Sequence, residues 1–118
     1  MAMDSKEMAV AILEIVRSRR NVSFAEIVNM IGDDARGDVA WEAAPNIVLW
    51  TGMSQSLVHA FEILKDKIEP HPTSVLIYLM DGAALRLPVA KRLPRAGYKQ
   101  PRWLPVAFSP RIHVDLAN

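Results

Sequence analysis

The sequence TGMSQSLVHAFEILKDKIEP, residues 51–70, carries the strongest helix signal in the chain. Ser54 is a favourable N-cap, because its hydroxyl accepts a hydrogen bond from a free backbone N–H group of the first turn. The apolar positions that follow recur at the spacing of one helix face: Leu57, Phe61, Leu64 and Ile68. Pro70 and Pro72 cannot continue a helix, so we predict one over residues 54–68.

Two further helices are predicted upstream of this stretch. Asp4 has an acidic residue three positions later, which is the spacing of a capping box, and apolar residues then recur on one face to about residue 19. Ser23 repeats the capping-box spacing, and Gly32 is well placed to end the apolar pattern that follows it. We therefore predict helices over residues 5–19 and 24–31.

β structure is expected on both sides of the third helix. Residues 46–50 are a β-favouring run, whereas residues 33–45 lack a clear period and are predicted to form a loop or a short irregular turn. Residues 73–80 are rich in strand-forming side chains, and Asp81-Gly82 is a sequence strongly favoured in tight hairpin turns. A return strand over residues 83–89 completes the predicted β-hairpin.

The charges are distributed unevenly along the chain. The 118 residues contain no cysteine, which excludes disulfides and thiolate metal sites, and their formal net charge is +1. Residues 1–85 contain seven Lys or Arg and twelve Asp or Glu, a net charge of −5, whereas residues 86–118 contain seven and one, a net charge of +6. Two interpretations fit this asymmetry: a polyanion-binding segment, or a basic tail that packs on the acidic body or on its homodimer copy.

Repeated prolines make the C-terminal part unsuitable for a helix. We therefore predict a compact domain over residues 1–89 and, over residues 90–118, an extended basic Pro-rich arm that packs on the same domain or on a partner subunit. Within the arm, the apolar stretch from Trp103 to Phe108 is expected to pack, while residues 91–102 are expected to be exposed. The apolar stretch needs a surface to cover, and a body of this size offers little of its own. A homodimer is therefore expected, in which the stretch packs on the partner subunit.

Over residues 5–89 the order of the predicted elements resembles that of the winged helix-turn-helix superfamily. The order is helix, short link, helix, connector, capped helix and hairpin. Residues 51–58, in which Gly52 precedes Ser54, are similar to the recognition-helix segment of many winged-helix repressors. The resemblance implies an α+β fold with a three-helix core and a β-hairpin wing. It also implies that the third helix enters the major groove of DNA.

This resemblance implies that the start of the third helix faces the bases, through Ser54, Gln55, Ser56 and His59. Arg86 on the wing would contact a phosphate. In the arm, basic and aromatic side chains are interleaved, a composition suited to phosphate contacts and base stacking. The predicted phosphate-binding residues there are Lys91, Arg92, Arg95, Lys99 and Arg102. Glu62 and Asp66 lie on the outer face of the same helix, where they would repel phosphates and suit a protein contact instead.

Motifs for catalysis or cofactor binding are absent from the sequence. The histidines His59, His71 and His113 are widely separated and lack metal-binding spacing. The acidic residues of 33–45 lack the spaced oxygen ligands and turn glycine of a calcium loop, so a solvated loop is the better interpretation. No Gly-rich phosphate loop or nucleophile elbow is present. We therefore predict a non-enzymatic protein with neither a metal nor a cofactor.

The sequence as a whole predicts a nucleic-acid-binding protein, with transcriptional regulation as one role that fits. The alternative hypothesis is a winged-helix-like module for protein association or homodimerisation that does not bind DNA. A cytoplasmic location and no membrane contact are expected, because neither a signal peptide nor an apolar run long enough to span a bilayer is found.

Overall fold

The computed structural model describes residues 2–19, 21–92 and 94–111, which form an α+β fold. Its helices are α1 (Ser5–Arg19), α2 (Phe24–Ile31), α3 (Gln55–Ile63) and α4 (Val75–Met80). Its strands are β1 (Val22–Ser23), β2 (Arg36–Ala44), β3 (Ile47–Met53), β4 (Ile68–Pro72), β5 (Arg102–Trp103) and β6 (Val106–Pro110). His113 and the end of the predicted arm, residues 112–118, lie outside the described residues.

The predictions for α1 and α2 are confirmed, and both helices begin at the expected caps. The backbone N–H of Glu7 donates to Asp4 Oδ1 at 2.8 Å. Ser23 Oγ accepts the backbone N–H three residues later at 3.0 Å. Gly32 ends α2 with a φ of 92°, and its N–H donates to the Val28 carbonyl at 2.8 Å. Such contacts satisfy backbone groups that helix ends leave free, so a short sequence signal fixes each boundary.

The third helix begins where predicted but is shorter. Ser54 Oγ accepts the N–H of Leu57 at 3.1 Å, as an N-cap does. The helix ends at Ile63 and not at residue 68. Ile68 is buried, but as the first residue of β4 and not as part of the helix face, because β4 pairs with β6 from that residue onward.

The predicted hairpin over residues 73–89 is wrong. Ser74 begins α4 instead, since its Oγ accepts the backbone N–H of Leu76 at 3.1 Å. Asp81-Gly82 follows the last turn of that helix and joins no strands. Residues 83–88 form no strand, and Val89 makes an isolated bridge to Trp103. Without this hairpin the wing is missing, and a winged-helix core is not confirmed.

Tyr78 accounts for the helical conformation of residues 75–80. Its side chain is fully buried, and its hydroxyl donates to the Val106 carbonyl at 2.6 Å and accepts the N–H of Phe24 at 3.2 Å. These long-range contacts override the strand propensity of the neighbouring Val and Ile side chains. Desolvation raises the pKa of Tyr78 above its ordinary value, so the hydroxyl stays protonated and remains a donor.

The prediction of a loop over residues 33–45 is also wrong. A short 3-10 turn over Asp33–Ala35 leads into β2, which pairs antiparallel with β3. The register between the two strands shifts repeatedly, as it does at β-bulges. Bulges disturb the alternation of buried and exposed side chains, which explains why the sequence of β2 shows no clear period. The strand predicted over residues 46–50 is confirmed as part of β3.

Both sheets contain a strand from the C-terminal segment. The first has the order β1-β6-β4, so β6 is its central strand and is antiparallel to both neighbours. The second has the order β2-β3-β5, with β5 parallel to β3. Trp103 and Phe108 are 1% and 2% exposed, which confirms that this apolar stretch packs. The surface that it covers belongs to the same chain.

Aromatic rings join the two sheets in one core. The Phe24 ring lies 4.9 Å from Phe108 in the first sheet and 6.2 Å from Trp50 in the second, centroid to centroid. Trp50 is 8% exposed and so belongs to this core. Tyr78 then bridges Trp50 and Trp103, at centroid distances of 5.1 Å and 5.0 Å. Helix α3 packs on this cluster through Phe61.

We expect Phe61→Ala to lower the free energy of unfolding by about 3 to 5 kcal/mol, because it leaves a cavity in a close-packed core. Phe61 is 4% exposed, and its ring lies 5.2 Å from Phe24 and 5.0 Å from Phe108. Urea denaturation followed by circular dichroism measures the change. Ile63→Ala is the matched control, since Ile63 lies on the same helix and is 52% exposed. An equal loss in both variants would contradict the core assignment of Phe61.

Candidate nucleic-acid interface

Residues 91–102, here called the basic loop, connect the bridge at Val89 to β5. Tyr98 closes the loop on itself: its hydroxyl donates to the Arg92 carbonyl at 2.6 Å and accepts the Arg92 N–H at 3.1 Å. The N–H of Gly97 also donates to the Pro94 carbonyl at 2.9 Å. These contacts give the described part of the loop, residues 91–92 and 94–102, a defined shape, although no helix or strand is found there before Arg102.

The basic loop is attached to the turn between β2 and β3. The N–H of Tyr98 donates to the Pro45 carbonyl at 3.0 Å, and Asn46 Nδ2 donates to the Tyr98 carbonyl at 2.8 Å. The N–H of Arg102 donates to the Asn46 carbonyl at 2.8 Å, where β5 begins to pair with β3. Gly97 has a φ of 73°, and a Cβ at this position would overlap the Pro45 carbonyl. The close approach of loop and turn thus requires glycine.

Arg102 lies over the face of Tyr98. Its guanidinium carbon is 4.6 Å from the ring centroid, which is within the range of a cation–π contact. Tyr98 is half-buried, so part of the ring remains accessible beside the guanidinium. The pair combines a cation with an aromatic surface, the two groups with which single-stranded nucleic acids are commonly bound.

The predicted phosphate-binding cations are all exposed: Arg86, Lys91, Arg92, Arg95, Lys99 and Arg102. The ion pairs within residues 2–19, 21–92 and 94–111 join other cations to acids: Arg19 to Glu26, Arg36 to Asp33, and Arg111 to Glu69. Within those ranges, then, no carboxylate of the acidic body neutralises the basic loop. The basic tail does pack on the acidic body, through β5, β6 and the Arg111–Glu69 pair, but its cations from residue 86 to residue 102 form no ion pair with a described carboxylate.

The residues expected to read bases lie at the start of α3. Ser54 uses its hydroxyl within the fold, since it caps α3 and donates to the Asp34 carbonyl at 2.7 Å. Ser56 is half-buried, whereas Gln55 and His59 are exposed. Gln55 and His59 line a shallow depression together with Glu62, so a carboxylate does lie beside the predicted base-reading residues.

The structure separates these two groups of residues. Strand β3 has Arg102 beside its first residue, Ile47, and Ser54 directly after its last residue, Met53. Six residue steps of a strand span about 20 Å. The basic loop and the first turn of α3 therefore lie at opposite ends of β3, and the structure does not bring them into a single site.

Other kinds of site are not seen in the part of the chain that the structure describes. No group of three or more His, Asp or Glu side chains is arranged to hold a metal ion there. Asp33, from the acidic stretch considered for calcium, pairs with Arg36 at 2.8 Å, and His71 Nε2 lies 2.9 Å from Ser109 Oγ. Among the same residues, no helix is long and apolar enough to cross a membrane.

Comparison of the chain with protein-family models, with curated proteins and with solved structures gave no match.

Sequence reasoning missed the residues that shape the basic loop. Pro45 ends the predicted loop and Asn46 begins the predicted β run, with no role at the candidate interface, and Gly97 has no predicted role. A turn-forming Pro-Asn pair and a Gly-Tyr pair are recognisable signals, but only the fold shows that they meet. Tyr98 is one of the aromatic residues interleaved with the predicted phosphate-binding cations, and its hydroxyl contacts add the role of holding the loop closed.

We expect Gly97→Ala to detach the basic loop from the β2–β3 turn, because both the positive φ and the overlap with Pro45 oppose a Cβ atom there. Gly82→Ala is the matched control: its φ is 81°, but no atom lies within 4 Å of the added Cβ. A non-glycine residue in this conformation costs about 1 to 3 kcal/mol, so the contact with Pro45 should make Gly97→Ala the more destabilising variant. Hydrogen exchange of the Tyr98 N–H should accelerate in Gly97→Ala alone. Unchanged exchange there would contradict this attachment.

Proposed function

We propose that this protein is a non-enzymatic nucleic-acid-binding protein that contacts the phosphate backbone through the basic loop and Arg86. The observation that carries the proposal is that the cations of this region form no ion pairs among the described residues. Its cations are exposed, and none of them pairs with a carboxylate within the described residues. Between Arg86 and Arg111 the sequence contains no acid. A run of unneutralised cations on a shaped loop attracts a polyanion and releases its bound counterions.

The proposed contact is largely independent of base sequence. Exposed Lys and Arg side chains contact phosphates, which are the same at every position, whereas sequence is read by groups that reach base edges. The predicted base-reading residues, Gln55 and His59, lie at the far end of β3 from the loop and beside Glu62. Tyr98 with Arg102 offers a stacking surface that accepts any base. These features favour general affinity for nucleic acid over recognition of one operator sequence.

A relationship to winged helix-turn-helix proteins, and with it a role in transcription, stays a prediction. Helices α1 to α3 occur in the order that the resemblance requires. The proposed function does not depend on this relationship, since the basic loop lies outside residues 5–89 and Arg86, predicted on the missing wing, contributes only as an exposed cation.

We expect the protein to bind a random DNA duplex with steep salt dependence, since log K falls with log salt in proportion to the number of phosphates contacted. Arg92→Ala combined with Arg95→Ala should weaken binding to all sequences alike and reduce the salt slope by about one for each lost contact. Fluorescence anisotropy at several salt concentrations measures both quantities. No binding at tens of micromolar protein in low salt would refute the proposal.

Two control variants sharpen this experiment. Arg17→Ala removes an exposed cation from α1, outside the basic loop, and should leave the slope unchanged. Gln55→Ala tests the start of α3, because a change in sequence preference would show that this helix reads bases after all. Equal losses in Arg17→Ala and the loop variant would show attraction to overall charge and not binding by the loop.

Self-association is a second candidate function, and one observation favours it. Leu76, Leu79 and Met80 lie on one face of α4 at helical spacing, and they are 66%, 57% and 86% exposed. Apolar side chains exposed together at this spacing are typical of contact surfaces. The earlier reason for a homodimer, an uncovered stretch from Trp103 to Phe108, no longer applies because that stretch is buried in its own chain.

If α4 forms a homodimer contact, sedimentation velocity should show a dimer at high micromolar concentration. Leu79→Lys with Met80→Lys should return the protein to a monomer, because two charges would be buried in the interface. Val10→Lys is the matched control, since Val10 is an exposed apolar residue on another helix, at 62% exposure. A wild-type protein that sediments as a monomer would eliminate this candidate.

A further inference from the structure

A groove of about 480 Å³ lies between α3 and the strands β2, β4 and β6. Three aromatic rings line it, those of Trp41, Phe61 and Phe108, and Val58 lies on its α3 side. A volume of this size falls within the range of protein sites for small molecules, which are mostly apolar with a few polar groups that orient the ligand. The groove belongs to the α3 side of the molecule and shares no residue with the basic loop.

The aromatic lining is held in place by the core. The Phe61 ring centroid lies 5.6 Å from that of Trp41 and 5.0 Å from that of Phe108. Phe61 and Phe108 are buried, and the half-buried Trp41 also contacts Phe24 edge-on at 5.8 Å. Because each ring packs against another, the groove is formed before any ligand arrives. Its aromatic surfaces favour a flat ring as the apolar part of that ligand.

Charged side chains at the groove select the head group of the ligand. The charged lining residues are Glu62, Lys65 and Arg111. Lys65 is exposed and forms no ion pair with another described residue. Arg111 lies 3.4 Å from the Glu69 carboxylate, but both side chains are about half exposed, so this pair is weak and leaves the guanidinium available. The lining has two cations and one carboxylate, and Glu69 beside Arg111 is a second carboxylate, so the unpaired Lys65 is the group that favours an anion.

We propose that this groove binds a small aromatic carboxylate. The ring lies against Trp41, Phe61 and Phe108, and the carboxylate interacts with Lys65 and Arg111. Glu62 opposes the anion and so moderates its affinity. This proposal is independent of nucleic-acid binding, because the basic loop and the groove consist of different residues.

A series of probes that differ only in charge tests the ligand class: 2-naphthoate, the neutral 2-naphthalenemethanol and the cationic 2-naphthylmethylammonium. Equilibrium dialysis with the full chain at low salt should show the tightest binding for 2-naphthoate and the weakest for the cation. Chemical shifts of the Trp41 indole N–H should move as the naphthoate binds. Equal binding of all three probes, or no naphthoate binding at millimolar concentrations, would overturn the proposal. So would shifts confined to the exposed face of α4.

Variants of exposed residues test the head-group contact without disturbing the core. Lys65→Ala should weaken naphthoate binding about two- to fivefold, as expected for an exposed charge pair, and leave binding of the alcohol unchanged. Glu62→Gln should strengthen naphthoate binding. Lys6→Ala is the matched control, since Lys6 is an exposed cation on α1 away from the groove. Equal effects of Lys65→Ala and Lys6→Ala would overturn the assignment of the head group.

A further variant tests the location of the ring. Val58→Trp fills the groove from its α3 side and should abolish binding of all three probes while circular dichroism shows that the helices persist. Retained binding in a folded Val58→Trp protein would place the ligand elsewhere and overturn the proposal. If this variant does not fold, the Lys65→Ala result and the Trp41 shifts still decide it.

Discussion

The buried hydroxyl of Tyr78 joins parts of the chain that are distant in sequence. It donates to Val106 in the central strand of the first sheet and accepts the N–H of Phe24 at the start of α2. The ring of Tyr78 meanwhile packs against two tryptophans of the second sheet. Because a buried polar group without a partner costs free energy, these bonds fix α4, α2 and both sheets relative to one another. Ser23 Oγ reinforces the arrangement by donating to Asp81 at 2.6 Å, directly after α4.

Local chemistry explains which elements were predictable. Capping residues such as Asp4, Ser23 and Ser54 act on backbone groups a few positions away, so α1, α2 and the start of α3 follow from short stretches of sequence. The same signal is present at Ser74, but the apolar residues after it also suit a strand, and Asp81-Gly82 suits a hairpin turn. What decides between helix and strand there is the contact of Tyr78 with Val106, which depends on the completed fold.

The candidate interface was predictable in composition but not in arrangement. A run of Lys and Arg without acids, interrupted by prolines, indicates an exposed basic segment, and its cations are exposed. Its position is set by the parallel pairing of Arg102 with Ile47, which places it at the end of β3 away from Ser54. The aromatic groove was not predicted, because Trp41, Phe61 and Phe108 come from three separate elements whose proximity no local pattern encodes.

The central position of β6 also has a consequence for how the protein is made. On the ribosome, β1 and β4 emerge first, yet each pairs in the sheet only with β6, and Asn21 meets Ser109 across 88 residues of sequence. Until residues 106–110 have left the exit tunnel, the edges of β1 and β4 that pair with β6 have no partner, and the face of α1 that contacts β6 is uncovered. A nascent chain at this stage exposes strand edges and apolar side chains of the kind that promote aggregation. We therefore expect the first sheet to form only after residues 106–110 have emerged from the ribosome.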